Sequence, residues 1–216
     1  MIDLHMHSVF SDGELIPAEI ARRAEVLGCR CIAITDHVDQ SNVERVVEAL
    51  AQFCADDKHK VKVLPGVEVT HVTPGKIADV VKRARKSGAV IVVVHGETLV
   101  EPVENGTNDA AIDAGVDILA HPGLITPEAA QKAAKAGVHL EISGRGGHSL
   151  GNGHVARTAM EAGAKLVFNT DSHAPRDLVD RERALKIVMA AGLTFAQAQE
   201  VLANSQTLVE AKSGAL

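Results

Sequence analysis

The amino-acid sequence predicts an α/β fold, a distorted (β/α)7 TIM-like barrel, on three observations. Short aliphatic runs alternate along the chain with longer Ala-rich stretches of helical period, which is the pattern of repeated βα units around a parallel sheet. Seven such units can be counted, and a glycine stands where six of the predicted helices should end. The length of 216 residues is short for an eight-unit barrel but sufficient for one domain, so we expect a single domain over residues 1–216.

Each predicted strand is a short and nearly all-apolar run, and each predicted helix is a longer stretch with helical periodicity. We predict strands at residues 2–5, 31–35, 61–68, 89–95, 117–121, 138–143 and 165–170. We predict helices at residues 17–27, 42–55, 76–87, 109–114, 127–136, 154–162 and 181–191. A last helix near residues 194–203 is expected to cover the barrel.

The composition restricts the classes of function. The net charge is −6, and the chain has four Phe, no Tyr and no Trp, which disfavours attraction to long nucleic acid and the stacking of bases. Three cysteines do not suggest a disulfide framework, and Cys29 and Cys31 are expected to be buried among aliphatic residues. Neither a leader nor an apolar segment of membrane-spanning length is apparent, which predicts a cytoplasmic protein without membrane contact.

Polar residues follow most of the predicted strands at their carboxyl ends, where barrel enzymes place their sites. They are His5 and His7 after the first strand, Asp12 in the loop that follows, Asp36 and His37 after the second, Glu68 after the third, His95 after the fourth, His121 after the fifth, and Asp171 and His173 after the seventh. Because alternate side chains of an extended chain point to the same side, His5 and His7 are expected to face the same site.

The six histidines of this set and three of its carboxylates, Asp12, Glu68 and Asp171, form a mixed nitrogen and oxygen donor group that suits Zn, Mn or Fe. Nine donors are too many for one cation, which takes about four to six. A carboxylate can bridge two cations. We therefore expect two to three divalent metal ions held close together.

In this arrangement the sequence resembles the polymerase and histidinol phosphatase (PHP) superfamily over nearly its whole length. The motifs that carry the resemblance are His5-x-His7 with Ser11-Asp12-Gly13, Thr35-Asp36-His37, Gly66-x-Glu68, His95, Ala120-His121-Pro122 and Asp171-Ser172-His173. The resemblance implies a single PHP domain, a distorted seven-unit barrel and a trinuclear metal site.

Carried over residue by residue, the family pattern implies three ligand sets. They are His5, His7, Glu68 and Asp171 for the first metal, Glu68, His95 and His121 for the second, and Asp12, His37 and His173 for the third. The carboxylate at Asp12 is one of the variants that the family uses at that position. The assignment of His95 is open, because Glu97 and His71 lie near enough in the sequence to compete for the same metal edge.

Other residues are expected to support the metal ligands or to contact the substrate. We expect Asp36 to orient His37 as a hydrogen-bond acceptor. We expect Arg145 and His148, which follow the sixth predicted strand, to contact the substrate, because a guanidinium group matches a phosphate. An ion pair of Arg145 with Glu141 at the surface is the alternative.

The resemblance implies a metal-dependent hydrolase of phosphate esters in which a metal-bound hydroxide attacks phosphorus. Glu68, Asp171 and His173 are expected to be catalytic, and the substrate to be a small phosphorylated metabolite similar to histidinol phosphate. The sequence leaves the oligomeric state open.

Three alternatives remain at this point. The first is a phosphodiesterase or exonuclease that acts on short oligonucleotides or nucleotide bisphosphates. The second is a non-catalytic PHP-like scaffold, which the complete ligand set disfavours. The third is an amidohydrolase or a metal-dependent deoxyribonuclease that also begins with His-x-His, but the Ser11-Asp12-Gly13 and Thr35-Asp36-His37 elements favour the PHP superfamily.

Overall fold

The structure is a computed structural model that describes residues 1–56 and 58–213. Its strands pair in parallel along the path β1-β2-β4-β5-β6-β7-β8, and a short β3 pairs with the upper half of β4. Seven strands thus form a nearly closed parallel barrel with helices outside, which confirms the predicted fold class.

The strands and helices alternate along the chain as the sequence predicts. The strands are β1 (Ile2–Asp3), β2 (Cys31–Ile34), β3 (His37–Val38), β4 (Lys62–Val69), β5 (Ile91–His95), β6 (Ile118–Ala120), β7 (His139–Ser143) and β8 (Leu166–Asn169). The helices are α1 (Pro17–Val26), α2 (Val43–Asp56), α3 (Pro74–Lys86), α4 (Thr107–Asp113), α5 (Pro127–Ala136), α6 (Asn152–Ala162), α7 (Arg181–Ala190) and α8 (Phe195–Ser213). Two short 3-10 turns, His148–Gly151 and Pro175–Asp177, were not predicted.

Local chemistry explains where several helices begin and end. Proline occupies the first turn of α1, α3 and α5, where its missing N–H costs nothing. The hydroxyl of Thr126 accepts a hydrogen bond from the backbone N–H of Ala129 and caps α5. Gly137 and Gly163 end α5 and α6 in the left-handed conformation that glycine adopts most readily.

The strand residues alternate between two apolar clusters. One lies between the sheet and the helices, and the other fills the inside of the barrel. The inner cluster contains Ile2, Leu4, Cys31, Ala33, Leu64, Ile91, Val93, Ile118, Ala120 and Val167, and Leu208 and Val209 of α8 complete it. Helix α8 therefore covers the barrel, as expected, but it is longer than the predicted helix because its last turns carry this apolar pair.

The inward-facing positions change from apolar to polar along the strands. On β4, Leu64 belongs to the inner cluster and Glu68, four residues later, is completely buried above it. On β5, Ile91 and Val93 are followed by His95 in the same alternation. The barrel thus has an aliphatic floor and a polar upper layer at the carboxyl ends of its strands.

The barrel closes between β1 and β8 through side chains and one isolated bridge. The Asp3 carboxylate accepts hydrogen bonds from the Thr170 hydroxyl at 2.6 Å and the Thr170 backbone N–H at 3.2 Å. The Asn169 side chain accepts from the Leu4 backbone N–H at 2.8 Å. Higher up, the His7 backbone N–H donates to the Ser172 carbonyl at 2.9 Å. This seam brings the first and last strands of the barrel together.

Asp3 gives the seam a pH dependence. Burial raises the pKa of this carboxyl from 3.8 to about 6. A folded-state pKa above the unfolded value means that the contribution of Asp3 to stability falls as the pH rises from about 4 to about 6. In metal-free protein we expect Asp3→Asn to be more stable than the original chain at pH 7, by up to about 3 kcal/mol for a shift of roughly two units.

Urea unfolding of both proteins at pH 4, 5, 6 and 7 measures this difference. The advantage of Asp3→Asn should grow with pH over this range. A difference that stays constant, or that shrinks as the pH rises, contradicts the argument.

Candidate metal centre

The structure brings all nine predicted metal ligands together at the carboxyl ends of the strands. Their donor atoms form overlapping groups in which every donor lies within 4.8 Å of the others. The groups are His5, His7 and Glu68; His5, His121 and Asp171; Glu68, His95 and His121; and His7, Asp12, His37 and His173. The second and third predicted sets each lie within one group, whereas the first set is divided between two groups, with Asp171 3.3 Å from His7 Nε2 and 3.7 Å from His5 Nε2. The ligand roles themselves stay a prediction.

Glu68 stands at the centre of the cluster. It is completely buried at the upper end of β4, and imidazoles surround both carboxylate oxygens. The nearest nitrogens belong to His37 at 2.8 Å, His5 at 3.3 Å, His95 at 3.4 Å, His121 at 3.5 Å and His7 at 3.7 Å. Gly66, two residues before, makes this position possible, because a Cβ there would lie 2.7 Å from the Thr35 methyl group and 2.9 Å from the Ile91 carbonyl.

Asp171 follows β8 and shares three histidine neighbours with Glu68. Its oxygens lie 3.3 Å from His7 Nε2 and 3.7 Å from both His5 Nε2 and His121 Nε2. The backbone of Asp171 has φ +52° and that of His121 has φ +28°. Non-glycine residues seldom adopt positive φ, and such residues concentrate at functional sites.

Asp12, His37 and His173 form the most exposed part of the cluster. The Asp12 carboxylate lies 3.1 Å from His173 Nε2 and 3.4 Å from His37 Nε2, and its side chain is 58% exposed. This group therefore opens towards the solvent, whereas Glu68 and the histidines below it are enclosed.

The donors fit divalent cations. Two atoms that each lie about 2.0–2.2 Å from one cation are separated by roughly 3.0–3.6 Å, and most of the nitrogen–oxygen distances around Glu68 and Asp171 lie in or near this range. Among the described residues, several buried donor atoms also have no hydrogen-bond partner, including His5 Nε2, His7 Nε2 and Glu68 Oε1. Buried polar atoms normally have partners, so a cation is the partner that this arrangement suits.

The charges of the cluster favour a cation as well. Burial opposes ionisation of Asp171, but His5 and His7 hold the pKa of Asp171 well below its usual range. Burial also opposes ionisation of Glu68, but His5 and His37 outweigh it and hold the pKa of Glu68 well below its usual value. Burial also opposes the charge of His5, but Glu141 and Glu68 raise the pKa of His5 well above its usual value. Both carboxylates are therefore ionised and available to a metal.

Glu141 is a site residue that the sequence analysis did not assign to the cluster. It is completely buried on β7, and its Oε2 accepts a hydrogen bond from His5 Nδ1 at 2.8 Å. His5 Nδ1 is thus directed at Glu141 and Nε2 at Glu68 and Asp171, where a bound cation would take the place of the Nε2 proton. The alternative of a surface ion pair between Glu141 and Arg145 is wrong. The alternation of side chains along β7 could have indicated this position. Leu140 and Ile142, on either side of Glu141, belong to the outer apolar cluster, so Glu141 points into the barrel.

Asp36 has a different role from the expected one. Its carboxylate accepts hydrogen bonds from the Ser8 backbone N–H, the Ser8 hydroxyl and the Ser11 hydroxyl, at 2.6–2.8 Å. His37 Nδ1 contacts Thr70 Oγ1 and Glu68 Oε2 instead. The prediction that Asp36 orients His37 is therefore corrected: Asp36 holds the loop that carries Asp12.

Arg145 and His148 both line the central cavity, which has a volume of about 390 Å³. Arg145 Nη1 donates to His173 Nδ1 at 2.6 Å and to the Asp171 carbonyl at 3.3 Å. His148 is buried and stacked on His121, with ring centroids 4.0 Å apart, and its Nδ1 contacts Thr98 Oγ1 at 2.7 Å. Burial and His121 lower the pKa of His148 to about 4, so this ring is neutral at pH 7.

Glu97 and His71, the two alternatives to His95 as a metal ligand, occupy different positions in the structure. Glu97 Oε1 accepts hydrogen bonds from the backbone N–H groups of Gly106 and Asn108, so it fastens its own loop. His71 lies beside His95, with ring centroids 5.0 Å apart. Glu101, which the sequence analysis did not consider, lies 3.1 Å from His95 Nε2.

Comparison with known sequences identifies relatives along most of the chain. The PHP domain model matches residues 3–140. An uncharacterised protein of Methanocaldococcus jannaschii is 49% identical over 205 residues, which cover 93% of this chain and 94% of that protein. A probable phosphatase of Thermoanaerobacter sp. (strain X514) is 27% identical over 223 residues, which cover 90% of this chain and 87% of that protein.

Comparison with solved structures identifies the same barrel. A chain in the structure of archaeal ribonuclease P with mature tRNA aligns with a TM-score of 0.72 and 16% identity over 97% of this chain and 90% of that chain. Histidinol phosphate phosphatase from Lactococcus lactis, complexed with zinc, L-histidinol and phosphate, aligns with a TM-score of 0.65 and 18% identity over 89% of this chain and 94% of that chain. At these identities the likeness concerns the fold alone. Within the described residues, none of the helices is long and apolar enough to cross a membrane.

The contact between Glu141 and His5 generates a prediction. Replacing the carboxylate by an amide in Glu141→Gln removes the charge that fixes the proton of His5 on Nδ1, and losses of about 10- to 100-fold in metal affinity are typical of such partners. We expect the affinity for the most tightly bound zinc ion to fall by that factor, as measured by competition with a chromophoric chelator.

Glu128→Gln, on the exposed side of α5, is the matched control and should bind zinc like the original chain. Equal affinity in Glu141→Gln and Glu128→Gln contradicts the role of Glu141.

Proposed function

The chain belongs to the PHP domain family and is a metal-dependent phosphoesterase, and on that premise we propose that it hydrolyses a phosphate monoester of a small metabolite. The observation that carries the proposal is the cluster around Glu68, in which nine donors from six strand ends and one loop surround one cavity. A cavity of about 390 Å³ suits a small phosphorylated molecule.

We propose three cation sites within this cluster. The first uses His5, His7, Glu68 and Asp171, the second uses Glu68, His95 and His121, and the third uses Asp12, His37 and His173. Bound cations would activate water and neutralise the oxygens of the phosphate. The role of the protein is to hold the donors in place, through Glu141 at His5 and through Asp36 at the loop of Asp12.

Glu68, Asp171 and His173 are the residues that we propose as catalytic. Glu68 and Asp171 each have oxygens directed at several imidazoles, so each is able to bridge two cations. His173 connects Asp12 with Arg145 at the open side of the cavity, where a phosphate would enter.

Arg145 is proposed to bind the phosphate once His173 binds a cation. A guanidinium group only donates, so His173 Nδ1 accepts in the described arrangement. If Nε2 offers its lone pair to a cation, Nδ1 carries the ring proton, and the Asp171 carbonyl at 3.1 Å is then its acceptor. The two states exclude each other, and the second releases Arg145. Among the described residues that line the cavity, Arg145 is the one Lys or Arg.

The test uses the purified full chain. Its metal content is measured by elemental analysis, and phosphate release is measured from histidinol phosphate, p-nitrophenyl phosphate, bis(p-nitrophenyl) phosphate and a 3′,5′-nucleotide bisphosphate, with Mn or Zn added. Two to three metals per chain and a preference for a monoester support the proposal. Preference for a diester favours the phosphodiesterase alternative, and full metal content without turnover on any substrate favours a scaffold.

The central position of Glu68 gives a sharper prediction. Glu68→Gln keeps the shape of the side chain but removes the charge that compensates the surrounding imidazoles. We expect it to lose at least one bound metal and at least about 100-fold in kcat. Metal content and turnover near those of the original chain would contradict the central role of Glu68, and Glu128→Gln is again the control.

The position of Arg145 generates another prediction. Arg145→Met should lower kcat/KM by about 10- to 100-fold, mainly through KM, because a charge-assisted contact with the phosphate is lost. It should leave zinc binding at least as tight as before, because His173 no longer accepts a hydrogen bond from a cation. Arg176→Met, on an exposed arginine of the neighbouring turn, is the control. An unchanged KM in Arg145→Met excludes the phosphate contact.

A further inference from the structure

A separate group of donors lies on the outer side of His95, away from Glu68. We propose that His71, Glu101 and the Nε2 atom of His95 form an additional site for a divalent cation with the ligand preference of zinc. This site shares His95 with the second set described above but uses its other nitrogen, and it goes beyond the proposed phosphoesterase activity. It stands at the mouth of the cavity, which all three residues line.

The distances within the group are those of ligands around one cation. Glu101 Oε2 lies 3.1 Å from His95 Nε2 and 3.2 Å from His71 Nε2, and the three donor atoms all lie within 4.8 Å of one another. Donors at about 2.0–2.2 Å from a zinc ion are separated by roughly 3.0–3.6 Å. Two imidazoles and a carboxylate are a donor set that zinc accepts, with a fourth position left for water.

His95 connects this group with the inner cluster through its two nitrogens. Nδ1 lies 3.4 Å from Glu68 Oε1, on the inner side, whereas Nε2 is directed at Glu101. The ring is 3% exposed, and Nε2 has no hydrogen-bond partner among the described residues despite its short distance to Glu101. Ligands that share a cation point at the cation and not at one another, which is consistent with this geometry.

The backbone supplies a second observation. His71 has φ +52°, and the described residues include just two other non-glycine residues with positive φ, His121 and Asp171. Both of these belong to the inner donor groups. A residue held in this unfavourable conformation at the end of β4 indicates that the position of its side chain is required.

The three donors come from separate segments, so the cation would join them. His71 follows β4, His95 ends β5, and Glu101 lies in the loop between β5 and α4. The other oxygen of Glu101 lies 3.5 Å from His148 Nε2, on the 3-10 turn after β7. An imidazole that binds cations through both nitrogens has given up both ring protons. We therefore expect the outer site to bind more weakly than the inner sets and to fill last.

The experiment is a zinc titration of the full chain by equilibrium dialysis with elemental analysis. We compare the original chain with His71→Ala and Glu101→Gln, and with the control Glu104→Gln, which changes an exposed glutamate of the same loop. The expected result is that the original chain and Glu104→Gln bind one zinc more at saturation than either His71→Ala or Glu101→Gln. The tighter equivalents should keep their affinities in all four proteins.

The result that overturns the proposal is an equal number of zinc equivalents in the original chain and His71→Ala. Weaker binding of one of the tighter zinc ions in Glu101→Gln, with zinc binding unchanged in His71→Ala, would also overturn the proposal, because Glu101 would then only orient His95. Thermal unfolding of each variant, followed by circular dichroism, verifies that the fold is retained. If the original chain binds no zinc tightly, the result contradicts the proposed function instead. The failure of the outer site and the failure of the proposed function are therefore distinguishable.

Discussion

The burial of two carboxylates among imidazoles is the constraint on which the rest of the molecule depends. Glu68 and Asp171 lie inside a barrel whose floor is apolar, and ionised groups at such depth require charged partners. The histidines supply part of this compensation, but several of their nitrogens face the carboxylates without hydrogen bonding to them. This arrangement suits bound cations, and the strands hold the donor side chains in place.

Much of this architecture could be predicted from the sequence, because the parallel strands of a barrel place their carboxyl ends on one rim. The aliphatic runs predicted the seven main strands, and the residues after them predicted the nine donors. The short strand at His37–Val38 escaped prediction, since two residues carry no periodicity. Helix α8 was predicted too short because Leu208 and Val209 enter the inside of the barrel, a tertiary contact that local pattern does not show.

Partners of the ligands were harder to predict than the ligands. Asp36 precedes His37 in the chain and was assigned to it, yet backbone direction turns the carboxylate towards Ser8 and Ser11. Glu141 belongs to the cluster although no motif marks it, because the alternation of β7 points it inwards. Glu101 reaches His95 only through the conformation of a loop, which Glu97 fastens to the start of α4. Adjacency in the sequence is therefore a poor predictor of side-chain contacts where the conformation of a loop determines them.

The seam between β1 and β8 has a consequence for the order in which the molecule is assembled. Of the nine donors, Asp171 and His173 stand just after the last strand and His5 and His7 just after the first, so the cluster spans the junction of these two strands. Among the described residues, few backbone hydrogen bonds cross that junction, and pairing between strands so far apart in the sequence is slow. A cation bound across this junction would hold the first and last strands together, and the proposed metal-binding capacity would be complete only after the last strand has joined the first.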